Sequence, residues 1–159
     1  MFLALWPAHW SRTQRSNATL IAALLLMVLV LSLLGQFLSY FPEPIGSNAE
    51  LFAEGALTTL YLTLVSGAAG LVLGTGAALA RTSRLAWLRW IASFYIWAIR
   101  GTPLLVQILF VYFALPVLVP GLNLPDFAAA VVALGLNAGA YNAEAIRAGL
   151  LAVPRGQTE

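Results

Sequence analysis

Residues 55–80, "GALTTLYLTLVSGAAGLVLGTGAALA", lie between Glu54 and Arg81 without one charged side chain. A helix rises about 1.5 Å per residue, so a hydrocarbon core of about 30 Å takes about 20 residues. This run crosses such a core with length left for tilt. The chain around it has the same character. Of its 159 residues 61% are hydrophobic and 9% charged, whereas soluble domains carry about 25% charged residues. The sequence therefore describes an all-α membrane protein.

Three further stretches have comparable length. Residues 18–38 are charge-free and rich in Leu, Val, Ile and Ala. That run exceeds the roughly 7–15 apolar residues of a signal peptide, and "SYFPEPIGSNAE" after it offers only a weak cleavage site, so a retained helix is expected. A third span covers "PLLVQILFVYFALPVLV", and a fourth starts near Asp126 after a loop marked by Gly121 and Pro125. Residues 82–99 differ, because Arg84 and Arg89 alternate with Trp87, Trp90, Tyr95 and Trp97. Amphipathic aromatics of this kind collect at the membrane–water boundary, so this segment reads as an interfacial helix. It bends inward near "RGTP", where Pro103 disfavours a helical Thr102 and itself fits the first turn of the next helix.

Counting arginines sets the topology. Arg12 and Arg15 precede the first span, and Arg81, Arg84 and Arg89 follow the second. The two opposite loops hold only acids: Glu43, Glu50 and Glu54 in one, Asp126 in the other. Basic loops stay in the cytoplasm, which puts the N-terminus inside and makes all four spans alternate.

Small residues recur at helical spacing in two places. Ser66, Gly70, Gly74 and Ala78 form one stripe, and Gly135, Gly139 and Ala143 form another. Such stripes let membrane helices approach closely, since packing holds them together. Beside the second stripe stand Asn137, Tyr141 and Asn142, with Gln107 as a counterpart on the preceding span. Polar groups at that depth serve interhelical hydrogen bonds or contact a translocated solute, and both readings stay open.

Arg100, Glu144 and Arg147 are the charges within reach of the bilayer. Glu144 and Arg147 are i, i+3 neighbours on a helix and can pair. A span entering at Asp126 reaches the inner boundary after about 20 residues, which places this pair near the cytoplasmic headgroups, where charge is tolerated. A structural ion pair and a role in gating are both compatible with that depth.

Enzyme chemistry has no foothold. The chain has no cysteine, its single His9 sits between Trp6 and Trp10 in a flanking tail, and no metal cluster or catalytic triad can be assembled. "GLVLGTG" lies inside a spanning segment and is no phosphate loop, so ATP-driven work would need the nucleotide on another chain.

Three blocks in order, "GALTTLYLTLVSGAAGLVLG", "RGTPLLVQILFVYFALP" and "ALGLNAGAYNAEAIRAGLLAVPRGQTE", resemble the permease subunits of bacterial polar amino-acid ABC importers of the histidine/glutamine type. The resemblance implies a partial MetI-like permease fold of about four transmembrane helices plus the interfacial one. Residues 55–159 would form the permease domain, incomplete at its C-terminus; residues 1–54 would supply a cytoplasmic tail, a first helix and an extracytoplasmic loop. It also implies a second permease subunit, two ATPases that bind the ATP, and an extracytoplasmic binding protein, with no cofactor on this chain. Pro154, Arg155, Gly156 and Gln157 match the lead-in to the family's ATPase-coupling loop, and Glu159 matches its first glutamate. Arg100, Gln107, Asn137, Tyr141, Asn142, Glu144 and Arg147 become candidates for the translocation path or its gate. The family's remaining loop and last two spans would lie beyond Glu159, so the resemblance implies a fragment. The alternatives are a piece of an ion-coupled secondary transporter or a non-transporting membrane scaffold.

Overall fold

The computed structural model describes Pro7 and residues 9–152. Pro154, Arg155, Gly156, Gln157 and Glu159, the expected coupling segment, lie outside the described residues. Every regular element among the described residues is helical: α1 Arg12–Leu38, a 3-10 turn Gly46–Asn48, α2 Ala49–Thr82, α3 Ala86–Arg100, α4 Leu104–Leu109, a π-helical turn Phe110–Ala114, α5 Leu115–Leu118 and α6 Asp126–Ala152. Two compact units, Met1–Thr59 and Leu60–Glu159, meet within the length of α2.

In the first unit α1 starts six residues ahead of the charge-free run because Ser11 caps it. The Ser11 hydroxyl accepts from the Gln14 N–H at 3.2 Å, and the Gln14 side chain accepts from the Ser11 N–H at 2.9 Å. This reciprocal box satisfies two donors that would otherwise be orphaned at a helix start. No residue of α1 is buried. A helix apolar on every side and exposed on every side is built for lipid or for neighbouring spans. Toward its end Gly35 faces the start of α2, where an added Cβ would stand 3.5 Å from that of Ala53.

In the second unit the two small-residue stripes face each other. Ser66, Gly70, Gly74 and Ala78 are all buried, as are Gly135, Gly139 and Ala143. A Cβ at Gly70 would come within 2.6 Å of the Ala138 Cβ, and one at Gly74 within 2.8 Å of the Gly139 carbonyl. The Ser66 hydroxyl returns to the Leu62 carbonyl at 2.5 Å, so a polar residue sits in this seam without an open donor. Residue numbers rise together along the contact, so α2 and α6 run parallel. One span, the third, lies between them in the expected alternating topology, which requires that direction.

Between them the chain turns at an elbow. The Gly101 N–H closes α3 on the Trp97 carbonyl at 2.9 Å, and α3 and the following helical run are bent by 107°. Pro103 is the residue before the helix, with ψ 139°, so α4 begins at Leu104, one residue later than expected. The stretch 103–119, expected as one regular span, is interrupted by the π turn, in which the Leu115 N–H reaches back to Phe110. Pro116 explains this: it has no N–H to give, and its ring presses on the carbonyl four residues earlier, so the preceding turn widens.

Among the described residues two helices are long and apolar enough to cross a membrane, and a third span is added if the bent pair counts as one. α6, with 27 residues, has the length, but Asn137, Tyr141 and Asn142 dilute its apolar character.

Candidate functional site

Where α2 and α6 end, three arginines converge on one carboxylate. Arg81, on the last turn of α2, pairs with Glu144 Oε1. Arg147, one turn further along α6, places both Nε and Nη2 at 3.1 Å from Oε2. Arg100, at the end of α3, brings Nη1 to 3.7 Å from Oε1 and its guanidinium 5.3 Å from the centre of the Tyr141 ring. Glu144 thus ties α2, α3 and α6 together. The expected Glu144–Arg147 pair is present, and Arg81, a loop charge in the arginine count, joins it from α2. The signal was available: Arg81 continues the first small-residue stripe by one turn beyond Ala78, and Glu144 follows Ala143 of the second.

A second polar junction lies deeper. Gln107 is buried in α4 and donates through Nε2 to the Ile99 carbonyl at 2.7 Å, the Thr102 carbonyl at 3.1 Å and the Thr102 hydroxyl at 3.0 Å. Its Oε1 accepts from Asn137 Nδ2 at 3.1 Å. Gln107 therefore fastens the elbow internally and to α6. The two amides are thus hydrogen-bonded to each other between α4 and α6. Beside them a cavity of about 510 Å³ is walled by Ile99, Val106, Phe110, Val111, Val132 and Leu136.

The other candidates separate. Asn142 lies against α2, its Cβ 2.6 Å from where a Cβ on Gly74 would stand. Tyr141 is exposed and meets only the Arg100 cation among the ring contacts described. Tyr95 departs from the interfacial reading given with Trp87, Trp90 and Trp97. Its hydroxyl turns inward and donates to the Leu136 carbonyl of α6 at 2.6 Å, above Gly139. The lack of a side chain at Gly139 leaves room for that ring. At the far end of α6, the Tyr112 hydroxyl donates to Asp126 at 2.8 Å, which pins the π turn to the start of α6.

Replacing Gln107 with leucine is expected to destabilise the second unit by about 1–2 kcal/mol, because the elbow loses its donor and Asn137 its acceptor. Asn137→Leu removes only the bond across the helices and should cost about 0.6 kcal/mol. Unfolding in mixed micelles compares the two; equal costs would mean that the elbow bonds contribute nothing.

These elements also match known proteins. The family model described as "Binding-protein-dependent transport system inner membrane component" matches residues 70–159. The chain belongs to this family. The match takes in α2 from Gly70 onward, the elbow and all of α6, so the Glu144 cluster and the Gln107 junction both lie within this inner-membrane component. The chain is 44% identical over 69% of its length to the L-cystine transport system permease TcyB of Bacillus subtilis, covering 46% of that protein. It is 47% identical over 67% of its length to the arginine transport system permease ArtQ of Bacillus subtilis, covering 48%. To the glutamine transport system permease GlnP of Escherichia coli it is 43% identical over 69%, covering 50%. A crystal structure of an amino acid ABC transporter with histidines superposes with a TM-score of 0.64 at 44% identity, covering 70% of this chain and 51% of that one. The chain thus spans about half the length of the curated relatives it matches.

Proposed function

We propose that these residues belong to the membrane permease subunit of an ATP-driven importer that moves a polar amino acid across the bacterial cytoplasmic membrane. The observation that carries this is the 43–47% identity to cystine, arginine and glutamine permeases over two thirds of the chain. The subunit itself is non-catalytic and holds no cofactor. ATP binds to separate ATPase subunits, a second permease subunit completes the pathway, and an extracytoplasmic binding protein delivers the amino acid.

In this reading the N-terminus is cytoplasmic, and so are the ends of α2 and α6 where Arg81 meets Glu144. Pro154, Arg155, Gly156, Gln157 and Glu159 belong in this reading to the segment that couples the subunit to the ATPase. Glu144, Arg100 and Arg147 lock helix ends near that contact, and Gln107 and Asn137 hold the elbow that ATPase movement would have to shift. The cavity beside Gln107 offers the amino acid no charged lining residue. The cavity beside Gln107 is walled by aliphatic and aromatic side chains, and the amide itself is already bonded.

The test is uptake of labelled arginine, glutamine and cystine by vesicles carrying the protein encoded by this reading frame, its ATPase and its binding protein. Uptake of at least one should require ATP and vanish when the ATPase nucleotide loop is mutated. Uptake that ignores that mutation and collapses with the proton gradient would favour an ion-coupled carrier and overturn the proposal.

A further inference from the structure

The cluster at Glu144 is not neutral. Its two oxygens are taken by Arg81 and Arg147, so the third cation, Arg100, is left at 3.7 Å from a carboxylate already engaged. Three guanidinium groups on one acid leave an excess of two positive charges. Beside them opens a pocket of about 310 Å³, bordered by Arg81, Ser93, Trp97, Arg100 and Glu144. Trp97 also begins an apolar face that leads away along α3. The Trp90 and Phe94 rings stack at 5.7 Å and the Phe94 and Trp97 rings lie at 5.9 Å, and these three side chains are 69%, 53% and 72% exposed.

We infer that this pocket holds the phosphate of an anionic phospholipid, with the acyl chains lying along Trp90, Phe94 and Trp97. Surplus arginine charge supplies the attraction, and guanidinium N–H groups match phosphate oxygens in geometry as well as charge. The Ser93 hydroxyl stands at the same mouth as a further polar group. A soluble phosphate would use the arginines alone and gain nothing from the aromatic ladder. A lipid uses both, because Trp97 borders the basic pocket and also starts the aromatic face. Amphipathic helices with basic residues and a Trp/Phe face bind anionic membrane surfaces for these reasons. The inference rests on the chain being a membrane protein and not on what it carries.

Acyl-brominated lipids test this, because they quench tryptophan on contact. The chain, with Trp6 and Trp10 replaced by phenylalanine so that α3 alone reports, is reconstituted with brominated phosphatidylglycerol or brominated phosphatidylcholine. At low salt phosphatidylglycerol should occupy the site with about fivefold preference, the worth of one basic contact at a membrane surface. Arg100→Gln should bring the preference close to one, and Arg100→Lys should keep most of it. Glu144→Gln should move the preference the other way, upward, and carries the test even if Arg100→Gln fails to fold. Equal quenching by both lipids overturns the inference, as does a preference that neither Arg100→Gln nor Glu144→Gln alters. Full displacement of the lipid by inorganic phosphate also overturns it, since the site would then take a free anion.

Discussion

Gly74→Leu should destabilise the second unit by about 3 kcal/mol or more, while Gly76→Leu, two residues further along the same helix, should be neutral or slightly stabilising. The first atom of any side chain at Gly74 would lie 2.6 Å from the Asn142 Cβ and 2.8 Å from the Gly139 carbonyl oxygen, whereas nothing stands within 4 Å of one at Gly76. The obstacles at Gly74 are a backbone carbonyl and a Cβ, neither of which can rotate away, so α2 and α6 must move apart. Overpacking of that kind typically costs about 1–3 kcal/mol, and leucine adds three carbons beyond the clashing one. Separation also strips the buried seam from Ser66 to Ala78 of its contacts, and in a membrane those contacts are most of what holds two helices together. At Gly76 leucine meets open space and gains about 0.5–1 kcal/mol of helix propensity over glycine. Unfolding in mixed micelles, followed by tryptophan fluorescence, gives both values. Similar results for the two variants would mean that the seam is not held by close approach.

The seam was legible in the sequence because helix packing leaves a period. Small residues every four positions mark a contact face whatever the partner is, and the partner could be guessed because Gly135, Gly139 and Ala143 repeat the spacing. Register was not legible. Nothing in either stripe says that Gly70 sits against the turn from Gly135 to Gly139 rather than one turn away, and the pairing of Arg81 with Glu144 follows from that register alone. Arginine counting concealed it further, since it treats Arg81 as charge on a loop when the residue belongs to the last turn of α2. The elbow was legible from Pro103, whose missing N–H and steric demand act locally. Pro116 acts by the same chemistry, yet its effect appears as a widened turn rather than a break, and composition does not distinguish these. Tyr95 was misplaced for a different reason. Its type suits an interface, and only the space left by Gly139 shows that its hydroxyl turns toward α6.

Glu144→Ala should cost about 2 kcal/mol, more than any single arginine of its cluster. The side chains involved are 23–43% exposed, so the value falls between the near-zero worth of surface pairs and the 3–5 kcal/mol lost when one partner of a buried pair is removed. The asymmetry comes from counting. Without Glu144 three guanidinium groups face one another across α2, α3 and α6 with nothing between them. Without Arg147 the carboxylate still has Arg81, and the loss is that of one i, i+3 pair, about 0.5 kcal/mol. Arg81→Ala falls between, because it cuts the bond from α2 to α6 yet relieves one unit of surplus positive charge. A double-mutant cycle on Arg81 and Glu144 isolates that bond, with a coupling of about 1–2 kcal/mol expected at low salt and a smaller one at high salt. If Glu144→Ala and the double variant are equally stable, Arg81 has no partner in α6 other than Glu144. If the double variant is the more stable, repulsion from the unpaired Arg81 accounts for part of the single-variant loss. Zero coupling would reduce the cluster to neighbouring surface charges, and α2 and α6 would then be joined at this end by apolar packing around Ala78 and Ala143.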